Sequence, residues 1–272
     1  AYRTMDADYT ESVVWAFAEL HRRGLVYEGD KVVAYCTRCQ TPLSNFETRL
    51  DDAYRPRVDL AVTVRYPRAA DGAALLAWTT TPWTLPASAA LAVHPVLTYV
   101  RMEAPDGDAV WLAEAACERY AAQLRGYVAR ARVPGRALVG DACRPPFGFF
   151  ADAVPVLAAP WVTATDGTGV VHLAPAFGED DAALCASAGV RGANPVGDDG
   201  RYDARVGALA GLDVHAAAEP VAAQLAAAGR LFARGEVRHD YPHCWRCDRP
   251  LVYRAVASWY VAASRPPPAR PI

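Results

Sequence analysis

Short runs of β-branched, aromatic and aliphatic residues, bounded by turn residues, recur along this chain and predict strands. They fall at Leu60–Tyr66, Ala74–Thr80, Ala90–Val93, Thr98–Met102 and Leu251–Val256, with shorter extended stretches near Lys31–Tyr35. Apolar residues at helical spacing are fewer. Val13, Phe17 and Leu20 share a face of a helix predicted over residues 8–24, with Asp8 and Glu11 in a capping-box pattern and Gly24 as its stop. Leu112, Ala116, Tyr120 and Leu124 predict a second helix over 111–124. A third begins near Glu179–Asp181 and stops at Gly189; a fourth carries Pro220 in its first turn and ends at Gly229. Asp106-Gly107 marks a turn, and a proline-punctuated β-rich stretch covers roughly 127–175. Many short strands and few long helices predict an α+β fold, a β-barrel-like body with peripheral helices. The closing "SRPPPARPI" cannot continue a helix or a central strand.

Composition narrows the class. With 272 residues, 53% of them hydrophobic, the chain is long enough to bury roughly 70–75% of its extended surface. No apolar run approaches the roughly 20 residues needed to cross a bilayer, and the N-terminus does not read as a signal peptide, so a soluble cytoplasmic protein without a membrane partner is expected. A net charge of −2 advertises no global affinity for nucleic acid.

Seven cysteines change the picture. Cys36 and Cys39 form one CxxC pair, Cys244 and Cys247 another, and Cys117, Cys143 and Cys185 stand alone. An odd count without a secretory signal argues against a disulfide framework. CxxC lets two thiolates from one tight turn reach the same metal, and four thiolates make a closed, structural Zn²⁺ site. A metal joining pairs so distant in sequence would tie together the base of whatever lies between them. Two unrelated pairs, buried thiols acting as small apolar residues, and a redox CxxC are the alternatives, and His243 is a competing ligand.

Two stretches carry candidate chemistry. "AWTTTPWTLPASAALAVHP", from Ala77 to Pro95, ends a strand with three threonines, of which at least one must point away from its neighbours. "DGTGVVHLAPAFGEDD", from Asp166 to Asp181, brings His172 to a strand end and Asp180 and Asp181 to a helix N-terminus. The helix dipole there favours ionised carboxylates by roughly 0.3–1 kcal/mol each, which suits an Asp that holds an ammonium group. Taken alone, these residues read more readily as helix-capping acids and a satisfied core histidine.

Together with "YPHCWRCDRPLVYRAVASWYV" and the upstream "YRTMDADYTESVVWAFAELHRRGLVYEGDKVVAYCTRCQTPLSNFE", these stretches closely resemble isoleucyl-tRNA synthetases, which are class I aminoacyl-tRNA synthetases. The resemblance covers about residues 2–260, the segment in which the editing domain is inserted into the catalytic Rossmann domain. The related valyl and leucyl enzymes typically read Thr-Thr-Arg-Pro where this chain reads Thr79-Thr80-Thr81-Pro82-Trp83-Thr84. The resemblance implies a remnant of the Rossmann domain at 1–33, a zinc-binding base at 34–53 and 238–256, an editing domain at 54–237 and an irregular tail at 257–272. It implies hydrolysis of valyl-tRNA(Ile), because one missing methylene is worth only about 1–3 kcal/mol in a synthetic site; isoleucyl enzymes are themselves the usual example.

By the same resemblance, Asp181 grips the α-ammonium, His172 limits the side-chain pocket, and Thr79, Thr80, Thr81 and Thr84 line the terminal adenosine and the ester. Trp83 lies at the pocket or adenine side. Ser88 stands where the family often has Asn. Cys36, Cys39, Cys244 and Cys247 hold the zinc. No Ser or Cys sits beside an activating base, so direct attack by water is expected. The partners implied are the acceptor end of tRNA(Ile) carrying valine and the remaining synthetase domains, around a monomer. ATP and Mg²⁺ belong to the parent full-length enzyme, since no HIGH-type or KMSKS-type motif is found and the chain is not expected to activate isoleucine. A zinc-ribbon RNA-binding module, using Arg38, Arg246, Arg249 and Arg254, and an inactive synthetase remnant remain the alternatives.

Overall fold

The computed structural model describes residues 3–50 and 52–263, which divide into two compact units. The smaller comprises residues up to Lys31 and from Ala255 onward. Its helix α1 (Ala7–Arg22) starts at Asp6 rather than at the expected capping box, and Asp6 makes no side-chain cap. Gly24 follows it with φ +69, the left-handed conformation that ends a helix without steric cost. The predicted apolar face forms but is not buried: Val13 is 52% exposed and Phe17 46%.

The larger unit, Val32–Arg254, holds most of the strands. In chain order the strands are β1 (Val26–Cys36), β2 (Thr41–Leu43), β3 (Tyr54–Pro67), β4 (Ala74–Thr79), β5 (Ala90–Val93), β6 (Thr98–Glu103) and β7 (Ala109–Ala113). They continue with β8 (Val128–Pro134), β9 (Ala142–Cys143), β10 (Val154–Ala158), β11 (Val170–Leu173), β12 (Leu231–Pro242) and β13 (Val252–Val261). Helices α2 (Glu179–Ser187) and α3 (Ala218–Ala227) match the two predicted after residue 178. Strand β13 runs past the predicted Val256 to Val261, where an irregular tail was expected from 257; residues 264–272 lie outside the described residues.

Among the described residues three sheets form, with strand orders β13-β1-β2, β11-β5-β10-β9 and β12-β3-β4-β7-β6-β8. None closes. The expected barrel-like body is instead a set of open sheets, because β5 pairs with β11 on one side and β10 on the other rather than extending the six-stranded sheet. The long antiparallel pair β3–β12, in register from Tyr54↔Pro242 to Thr63↔Ala233 and shifted by a bulge before Val64↔Leu231, forms one side of the large sheet. Leu75, Leu76, Leu91, Leu112 and Leu173 are fully buried in the core of this unit.

The helix predicted over 111–124 is not formed. Trp111–Ala113 belong to β7, which pairs with β6, and the chain then descends through a 3₁₀ turn, Glu114–Ala116, and successive turns. Ladder pairing of Trp111 and Leu112 outweighs local helical spacing, yet Leu112, Ala116, Tyr120 and Leu124 are all buried as the period required.

Candidate active site and cysteine cluster

Strand β4 ends at Thr79, and Thr80 and Thr81 lie just past it, where hydrogen bonds between Thr79 and Thr81 turn the chain. Thr79 and Thr81 face a cavity of about 190 Å³, shared with Trp78, Thr84, Val171, His172, Ala174, Phe177 and Asp181. Thr80 does not line it. With Trp83 it borders a crevice of about 30 Å³ beside Arg57, Asp59 and His215. Five of the eight residues singled out from the threonine and acidic stretches therefore come together, and Thr80, Trp83 and Ser88 do not.

The hydroxyls are tied into a chain. The Thr81 backbone N–H donates to Thr79 Oγ1 at 3.1 Å, and the two hydroxyl oxygens lie 3.1 Å apart. Thr81 opens a 3₁₀ turn, Pro82–Ala87, that returns Thr84 to the cavity. The Thr84 hydroxyl donates to the Thr81 carbonyl at 2.9 Å and lies 3.2 Å from His172 Nε2. Its one proton is thus committed, and a neutral His172 must present Nε2–H to it. Burial holds His172 neutral, its pKa lowered to about 4. Nδ1 of the same ring is buried without a hydrogen-bond partner among the described residues.

Asp181 sits in the first turn of α2, three residues after the N-cap Gly178. Its Oδ2 accepts the Ala174 N–H at 2.8 Å. Gly178 makes this possible by its lack of a side chain: a Cβ there would lie 2.7 Å from Asp181 Cγ. Burial works against the expected dipole stabilisation and pushes the Asp181 carboxyl above its ordinary range despite the Ala174 N–H, with Asp180 adding to the rise. A cation entering the cavity would reverse that shift.

Ser88 is held away from the cavity, its hydroxyl 2.9 Å from the Tyr66 hydroxyl in the core. Trp83 backs the lining through an edge-on contact with Phe177, centroids 4.9 Å apart, and its carbonyl accepts the Tyr202 hydroxyl. Trp78, Val171, Ala174 and Phe177 were missed as lining residues. All lie within the two stretches singled out from sequence, but no polar group marked them.

The cysteine pairs meet. Sulfurs of Cys36, Cys39, Cys244 and Cys247 all lie within 4.8 Å of one another, with Cys36 and Cys247 at 3.5 Å. A tetrahedral Zn²⁺ with bonds near 2.3 Å requires sulfurs about 3.8 Å apart, so the donor set and its spacing fit. Both turns are built alike: the residue after the second cysteine, Gln40 or Asp248, is left-handed, with φ of 50 and 61. Cys36 and Cys244 are fully buried among Ala34, Leu43 and Leu251. Burial raises the Cys36 thiol to about 12, and a bound cation would favour its thiolate. His243 is not in the cluster; its Nδ1 lies 2.8 Å from the Tyr241 carbonyl.

The chain matches the family of tRNA synthetases class I (I, L, M and V) over residues 1–266. Isoleucine–tRNA ligase 2 of Pseudomonas fluorescens is 48% identical over 97% of this chain and 26% of that protein. The isoleucine–tRNA ligase of Nocardia farcinica is 46% identical over 97% of this chain and 27% of that protein. The chain thus spans about a quarter of the length of the curated relatives it matches. In fold it is similar to the crystal structure of GlLeuRS-CP1, with a TM-score of 0.54 and 15% identity, covering 65% of this chain and 98% of that one. The chain belongs to the class I tRNA synthetases (I, L, M and V), with isoleucine–tRNA ligases among its similar relatives.

Proposed function

We propose that this segment is the editing module of an isoleucine–tRNA ligase and hydrolyses the ester of valyl-tRNA(Ile). One observation carries the reading: Asp181, His172 and the hydroxyls of Thr79, Thr81 and Thr84 share one small cavity. A carboxylate raised by burial is stabilised by an ammonium partner, and the α-ammonium of an aminoacyl ester supplies one. Neutral His172 adds bulk without charge, suited to bounding a small aliphatic side chain.

Water attacks the ester carbonyl directly in this reading. The tetrahedral intermediate collapses by expelling the ribose oxygen, which takes a proton as valine leaves. No Ser or Cys lines the cavity, and Thr84 gives its proton to the Thr81 carbonyl rather than to His172, which argues against a covalent acyl-enzyme. Hydroxyls donate and accept, so Thr79 and Thr81 are placed to hold the water and the ribose edge.

We assign residues 54–237 to the editing body, 34–53 and 238–256 to its base, and 1–33 to the catalytic domain. Cys36, Cys39, Cys244 and Cys247 would hold a structural Zn²⁺ with no open position. The tRNA(Ile) acceptor end and the remaining synthetase domains are the partners, in the cytoplasm; ATP and Mg²⁺ serve the full-length enzyme.

Asp181→Ala tests the assignment. It is expected to slow hydrolysis of valyl-tRNA(Ile) about a hundredfold or more, while N-acetylvalyl-tRNA(Ile), which lacks the ammonium, resists the unaltered protein. Full activity of the variant on valyl-tRNA would sink the role of Asp181.

A further inference from the structure

We propose that a second cavity, on the opposite face of the threonine strand, binds the unpaired nucleotides that precede the aminoacylated end of the tRNA. This rests on the editing reading above. The cavity around Asp181, at about 190 Å³, is smaller than the roughly 300–1,000 Å³ of sites that enclose a whole cofactor-sized ligand. It suits an aminoacyl group, and the nucleotides behind that group need adjoining space. The second cavity, about 700 Å³, provides it, and Trp78 borders both.

The sheet pleat builds this second site. Thr63 pairs with Trp78 across β3–β4, and Ala61 and Thr63 pair with Gly235 and Ala233 across β3–β12. These residues share one face with Thr80, opposite to Thr79, and their small side chains leave a floor. Trp78 and Tyr120 supply aromatic surface, and Arg119 stands at the rim. Two of the five Arg119 donors hold the Gly167 and Thr165 carbonyls, which leaves others for a phosphate. Aromatic platforms beside cationic side chains are how unpaired nucleic acid is bound. Asp166 and Glu236 also line the cavity. A groove for phosphate alone has no use for carboxylates, whereas cytosine presents an amino group that they accept. The nucleotides before the terminal adenosine of tRNA are cytidines.

Gly235 offers a direct test. A Cβ there would meet nothing within 4 Å, and its φ lies outside the left-handed region, so a large side chain enters the cavity without backbone strain. The measurement is fluorescence anisotropy of a single-stranded RNA oligonucleotide ending in CCA, titrated with the whole chain. The unaltered protein is expected to bind it. Gly235→Phe is expected to weaken binding roughly tenfold or more and to raise KM for valyl-tRNA(Ile) more than it lowers kcat. Gln123→Glu, at an exposed position of the same rim, is expected to weaken binding too and carries the test if Gly235→Phe fails to fold. Unchanged oligonucleotide affinity in both variants, beside intact hydrolysis of valyl-tRNA, overturns this inference and leaves the editing reading standing. Variant-sensitive oligonucleotide binding without any hydrolysis upholds the nucleotide site and overturns the editing reading.

Discussion

At the residue scale, three adjacent threonines carry the central division of labour. Thr79 and Thr81 line the small cavity, whereas Thr80 lines the larger one and shares a narrow crevice with Thr81. That at least one threonine turns away was legible in the sequence; that it is Thr80 was not. Ser88 shows the limit. Its fate depends on Tyr66, twenty-two positions away in sequence and buried by the sheet, and no local pattern links the two. The upward shift of the Asp181 carboxyl was not legible for a related reason, since the helix terminus is visible in the sequence and the burial that opposes it is not. Burial also gives His172 a measurable pH signature. Unfolded, it gains a proton below about 6.5; folded, only below about 4. Between those values the unfolded chain binds more protons, so stability falls as pH falls, by up to roughly 3 kcal/mol from this residue. His215, also lowered to about 4 by burial, acts in the same direction, and Asp181, raised, opposes both. Melting temperature is therefore expected to decline from pH 6.5 to 4.5, with a shallower decline for His172→Gln. An equal slope in that variant contradicts the buried neutral imidazole.

At the element scale, strands and glycine-stopped helices read well because their signals are local. The segment 111–124 did not, since β6 recruits its first residues into a ladder. The face of α1 was predicted correctly as apolar, but nothing among the described residues buries it. The cysteine turns were the clearest element in the sequence, and the structure brings their four sulfurs together. The arginines that would serve a separate RNA-binding ribbon are largely engaged internally. Arg246 pairs with Glu47 at 2.9 Å, Arg254 with Asp198, and Arg249 with Asp213. Metal analysis of the purified chain is expected to find one zinc per molecule. Cys36→Ser or Cys244→Ser is expected to lose the metal and lower the melting temperature, whereas Cys185→Ser keeps the metal. Full zinc retention in Cys36→Ser contradicts a four-thiolate site.

At the scale of the whole molecule, sequence resemblance reached the family without the sheet arrangement, because motifs survive in short stretches while sheet closure depends on long-range pairing. The open six-stranded sheet presents one face to the Asp181 cavity and the other to the larger cavity. The account stands on size exclusion by a small cavity holding an ammonium. The direct measurement is a pair of deacylation time courses, valyl-tRNA(Ile) and isoleucyl-tRNA(Ile), with the same folded, zinc-loaded chain. The account predicts rapid loss of valine and retention of isoleucine. Equal loss of both esters, or release of isoleucine with valine retained, would contradict it.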